Sequence, residues 1–85
     1  ELLASTRGMT QYSVIYPERL PVTTVESLFV FLKRRHHATL IAFDIGHGIQ
    51  LNPDLDAEVP PSTKLFYIAD ERIEDFAWKE MHKEQ

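Results

Sequence analysis

Apolar and polar positions change period several times along the chain, and each change marks an element. Gln11 to Tyr16 is rich in aromatic and β-branched residues and stops at Pro17, which predicts a first strand. Pro17 and Pro21 then bracket a turn. From Thr23 the period becomes helical: Val25, Leu28, Phe29 and Leu32 recur at i, i+3, i+4 and i+7 as one apolar stripe. Thr23 followed three residues later by Glu26 reads as a capping box, and Lys33, Arg34 and Arg35 fall in the last turn, where exposed carbonyls favour cations. The spacing predicts a helix over about residues 24–36. Ala38 to Phe43 is almost continuously apolar, the pattern of a strand covered on both faces. Asp44-Ile45-Gly46-His47-Gly48 supplies a turn and Ile49 to Leu51 a return strand, so residues 38–51 read as a hairpin. A polar loop follows through Glu58, and Pro60-Pro61 blocks helix there. Lys64 to Ala69 is a further strand. Asp70 is placed to cap a terminal helix with Ile73, Phe76, Ala77 and Met81 inward, acids leading and Lys79, His82 and Lys83 trailing.

The order strand, helix, strand, strand, strand, helix (β-α-β-β-β-α) describes an α+β domain around one small mixed sheet, occupying residues 11–85. Residues 1–10 lack a sustained period and read as a linker from a preceding segment, with Gly8 closing a helix end. Since the chain starts at Glu1 rather than Met, it reads as a fragment of a longer polypeptide.

Composition narrows the classes. The 85 residues suit one domain, contain no Cys and so offer neither a disulfide framework nor a thiolate metal site. No apolar run approaches the roughly 20 residues of a spanning helix, so no direct membrane insertion is expected. Charge is uneven: residues 1–43 carry five basic groups against three acids, and residues 44–85 carry four against ten. An acidic surface repels phosphate backbones, and Lys33-Arg34-Arg35 is too short to offset it, so nucleic acid is not an expected partner.

Candidate chemistry is sparse. No G-x-S-x-G, Walker loop, H-E-x-x-H or G-x-G-x-x-G occurs, and an enzyme is not expected. His36, His37, Asp44 and His47 lie within twelve positions, so His36, His37 and His47 are candidates for a divalent cation. The plainer reading puts His36 and His37 at a helix end, near its negative pole, and His47 on a turn. Val30 and Phe31 lie off the stripe of the first helix and Trp78 off that of the last, which makes these three candidates for a homodimer interface. Partial burial within the fold is the competing explanation.

Read as one unit, residues 11–73 resemble a known family. A strand, the helix entered through Thr23-Thr24-Val25-Glu26-Ser27-Leu28, the strand Ala38 to Phe43, a Gly-containing turn, the segment Leu51-Asn52-Pro53-Asp54-Leu55-Asp56 and the closing Leu65-Phe66-Tyr67-Ile68-Ala69 are similar to the C-terminal lobe of RCK domains, the TrkA-C domain. The resemblance implies a cytoplasmic regulatory module of a prokaryotic potassium channel or Trk/Ktr-type uptake system, held at the inner face of the plasma membrane through its parent protein. It implies as partners a twin lobe, an N-terminal nucleotide-binding lobe and a membrane pore or transporter subunit. It also implies an effector, a divalent cation or a nucleotide-type molecule such as a cyclic dinucleotide, in a pocket near Asp44, His47 and Asn52. Two departures bear on that effector. Asp44-Ile45 stands where many members carry a basic residue, which sets a carboxylate against phosphates, and Ser62-Thr63 stands where many have Gly-Asp. The alternative class is a stand-alone small-ligand or divalent-metal sensor unrelated to ion transport.

Overall fold

The computed structural model describes residues 9–74 and 76–83; residues 1–8 of the expected linker, with the Gly8 helix end, lie outside the described residues, as do the side chains of Lys79, His82 and Lys83, and the linker's last residue, Thr10, already belongs to a strand. The elements are β1 (Thr10–Ile15), β2 (Thr23–Thr24), α1 (Val25–His36), β3 (Thr39–Asp44), β4 (Gln50–Leu51), β5 (Glu58–Val59), β6 (Lys64–Ala69) and α2 (Trp78–Lys83). Four strands form one sheet in the order β1-β6-β3-β4, and β2 and β5 form a separate ribbon. The last strand in sequence, β6, is antiparallel to both β1 and β3, so those two run in the same direction with α1 as their connection. The α+β class stands, and the hairpin is in place with Ala42 opposite Leu51 and Phe43 opposite Gln50.

The core lies between the sheet and α1. Leu28 and Leu32 are fully buried and Val25 and Phe31 nearly so. They meet Leu40 and Phe43 of β3 and Leu65, Tyr67 and Ala69 of β6 in one cluster. Burying each such aliphatic side chain contributes roughly 1.5–3 kcal/mol. Alternation along β3 would send Leu40 and Phe43 to opposite faces. A register shift between Leu40 and Ala42 takes Ile41 out of the ladder, so Leu40 opposite Tyr67 and Phe43 opposite Leu65 both face the helix. Ala42, opposite Phe66, then lies on the outer face. Among the described residues no second helix packs on that face: Ala42 is buried there, and Phe66 and Ile68 are half-buried.

Three local readings are corrected. The α1 cap is Thr24, whose Oγ1 accepts from the Ser27 amide at 3.2 Å, while Thr23 is buried in the ribbon opposite Val59. The next amides are satisfied by the loop: Val25 N–H donates to the Ala57 carbonyl (2.9 Å) and Glu26 N–H to that of Leu55 (2.8 Å). Secondly, the buried stripe takes Phe31, with Phe29 half-buried. Thirdly, Asp70 caps no helix. Residues 70–74, 76 and 77 lie outside regular structure, Ala77 is exposed, and α2 starts at Trp78. Aromatic packing decides this route: Phe76 stacks on Trp78 (5.0 Å between centroids) and meets Tyr67 edge-on (5.7 Å), and the Tyr67 hydroxyl accepts from the Ile73 amide (3.1 Å).

Phe31 and Trp78 were expected at an interface and are interior instead, 2% and 6% exposed. The side of α1 that the stripe leaves uncovered is covered by the chain itself: Phe31 stacks on Trp78 at 5.7 Å, and Tyr16 meets Trp78 edge-on at 5.4 Å. Of the three expected interface residues, Val30 alone keeps partial exposure.

Candidate functional site

The chain forms a cleft of about 300 Å³ where the last residues of α1 meet the segment after β6. His36 and His37 supply one wall, Asp70, Glu71 and Arg72 the other, with Ala69 and Ile73 completing it. Each wall is held by local chemistry. α1 ends because His37 adopts the left-handed conformation (φ 53°), and the amides of His37 and Ala38 both donate to the Leu32 carbonyl, the latter at 3.0 Å. This conformation leaves His37 exposed at the rim, while the His36 ring packs between Phe31 (5.3 Å) and Phe76 (5.0 Å). Across the cleft, the Arg72 guanidinium lies 5.0 Å from the Tyr12 ring centroid and the Ile73 amide is tied to Tyr67. The segment is therefore anchored from two sides onto β1 and β6.

The cleft brings two imidazoles opposite a guanidinium and two carboxylates, beside a helix C-terminus whose carbonyls favour cations. It suits a small polar solute that offers both an acceptor and a donor. Among the described residues no three His, Asp or Glu side chains converge as a metal centre.

The residues expected to bind an effector are placed elsewhere. Asp44 ends β3 and folds its carboxylate into its own turn, Oδ1 accepting from the amides of Gly46 (2.7 Å) and Gly48 (3.2 Å), both glycines at φ 112°. His47 is exposed at the tip of that turn. Asn52 is exposed and left-handed (φ 49°), and its amide donates to the Ile41 carbonyl, three residues back from Asp44, or about 10 Å along the strand. Asp44 and His47 thus share a turn, but Asn52 stands apart from them. The metal candidates divide in the same way. His36 and His37 adjoin the start of β3, and His47 lies beyond its far end. Sequence reasoning named the two histidines of the cleft but neither Asp70, Glu71 nor Arg72 as its other wall. Their only signal was a charged run after an apolar strand, equally well read as a helix start.

No family model matches the chain, and no curated protein does. Among solved structures it matches part of the human SLO3 gating ring, with a TM-score of 0.68 and 18% identity over 80% of this chain and 12% of that one. The chain therefore has the fold of a small portion of that ring, compatible with the C-terminal lobe of an RCK domain. Among the described residues no helix is long and apolar enough to cross a membrane.

Proposed function

We propose that this chain is a regulatory lobe of RCK type, acting on a potassium channel or potassium uptake system from the cytoplasmic side of its membrane. The observation that carries this reading is the likeness of fold to part of a gating ring, over four fifths of the chain. The resemblance of residues 11–73 to the TrkA-C pattern supports it independently of the coordinates. In this reading the lobe pairs with a twin and adjoins a nucleotide-binding lobe and a pore or transporter subunit. An effector that prefers one arrangement of the paired lobes over another biases the gate by the difference in its two affinities. The effector site of this reading is the cleft between His36 and Arg72, which is enclosed on two sides, rather than the turn at His47.

The decisive experiment removes residues 11–85 from the gene in its own cell and follows rubidium uptake as the external potassium is stepped. A changed uptake rate or set point is expected. An unaltered response would leave only the stand-alone sensor. Light scattering on the purified chain reads the pairing: a concentration-dependent dimer is expected, and a strict monomer at millimolar concentration removes that part. Calorimetry with a cyclic dinucleotide and with manganese, on the wild type and on Arg72→Ala, separates an effector lobe from a purely mechanical one. Heat of binding that is lost in the variant supports the cleft.

A further inference from the structure

The exposed large apolar residues gather at one end of the molecule. β1 and β3 run the same way, so Ile15 and Ile45 lie at the same end of the sheet, with Lys64 opposite both Ile15 and Asp44 in the register between them. The three strands put these positions about 10 Å apart. Ile49 follows the turn, and Leu51 stands in one cross-strand row with Ala42 and Phe66 on the outer face. Exposures are 53% for Ile15, 41% for Ile45, 57% for Ile49 and 74% for Leu51, and Phe66 is half-buried beside them. Scattered single apolar residues are ordinary, but a set grouped at one end of a sheet marks a binding surface.

Charge says what kind of partner fits. α1 runs against β3, so its first turn and the loop 52–59 that hydrogen-bonds to it lie at this same end. The charged residues there are Arg19 and Lys64 against Glu18, Glu26, Asp44, Asp54, Asp56 and Glu58, two cations facing six acids for a net charge of −4. Such an end repels its own copy and an anionic lipid surface alike. We propose that this apolar, acid-rimmed end is a docking surface for a basic amphipathic helix of a partner protein. The apolar stripe of that helix covers Ile45, Ile49 and Leu51, and its Lys or Arg residues face the acids. The surface lies at the opposite end of α1 from the cleft and does not depend on the regulatory reading.

The test titrates the 85-residue chain with an 18-residue amphipathic helical peptide of Leu and Lys, and with its Leu and Glu counterpart. The expected result is binding of the Lys peptide alone. Affinity should fall at least tenfold between 0.05 and 0.5 M NaCl. It should fall at least tenfold again in the double variant Ile49→Ser, Leu51→Ser and in Asp54→Asn, Asp56→Asn. Circular dichroism serves as the folding control, since all four side chains are exposed. Equal binding of both peptides, no binding, or Lys-peptide binding untouched by the serine pair overturns the proposal. So does a dimer, or adhesion to vesicles containing phosphatidylserine, that the serine pair abolishes, because either outcome assigns the surface to a different occupant.

Discussion

The two ends of α1 are held by different physics. At its first turn the helix is fastened by directed hydrogen bonds: Thr24 accepts from Ser27, and the Val25 and Glu26 amides reach carbonyls of a loop about thirty residues ahead. Towards its last turn it is fastened by ring packing, Phe31 against Trp78 and His36 against Phe76, with the Arg35–Glu80 ion pair (2.7 Å) outside. Hydrogen bonds fix register and direction, and each contributes about 1 kcal/mol net. Apolar contact is less directional and scales with area, so the aromatic end carries more stability per residue. The exposed ion pair adds little to it. The same contrast separates the candidate surfaces, since the cleft borders the aromatic end and the acid-rimmed apolar surface borders the hydrogen-bonded one.

The contrast breaks most sharply at Trp78. Replacing it with Ala removes the ring that touches Phe31, Phe76 and Tyr16, and should lower stability by about 3–5 kcal/mol in urea unfolding. A loss below about 1 kcal/mol would mean that α2 does not cover α1. At the opposite end Thr24→Ala should cost about 1 kcal/mol, with Thr24→Ser restoring most of it. If the two ends are independent, the double variant Trp78→Ala, Thr24→Ala should equal the sum of the singles within about 0.5 kcal/mol, and a larger coupling would show that the ends act as one unit.

Legibility in the sequence followed the same division. α1 and the β3–β4 hairpin could be read because the periods of helix and strand are local. What escaped was non-local. The ribbon of β2 and β5 is two residues per strand, too short to show a period, and it buries Thr23 and leaves the cap to Thr24. Val30 and Phe31 broke the single stripe and suggested a partner chain, whereas Trp78 from the chain's own end covers Phe31. Asp70-Glu71 had the composition of a helix start, but the Tyr67 hydroxyl and the Phe76 ring hold the segment in another course. The cleft was half legible for the same reason: its walls lie more than thirty residues apart, and only β6 beside β3 brings them together.

The finest test lies at Tyr16, where both kinds of fastening meet in one side chain. Its ring packs edge-on against Trp78, and its hydroxyl donates to the Pro21 carbonyl at 2.7 Å, holding the turn that leads into β2. Tyr16→Phe keeps the ring and deletes only the hydrogen bond, so near neutral pH it should cost about 1 kcal/mol, well short of Trp78→Ala. Burial also raises the Tyr16 phenol above its ordinary value of 10.0. The unfolded chain therefore releases this proton at a lower pH than the folded one, and stability falls as pH rises past 10 towards the folded value. The contribution is complete below pH 10 and absent in the phenylalanine variant, so the gap between the two proteins should narrow in alkali. Urea midpoints for both at pH 8 and pH 11 measure it. A gap that stays constant or widens at pH 11 would show that the hydroxyl is not held as an un-ionised donor, leaving the ring as the whole of what Tyr16 contributes.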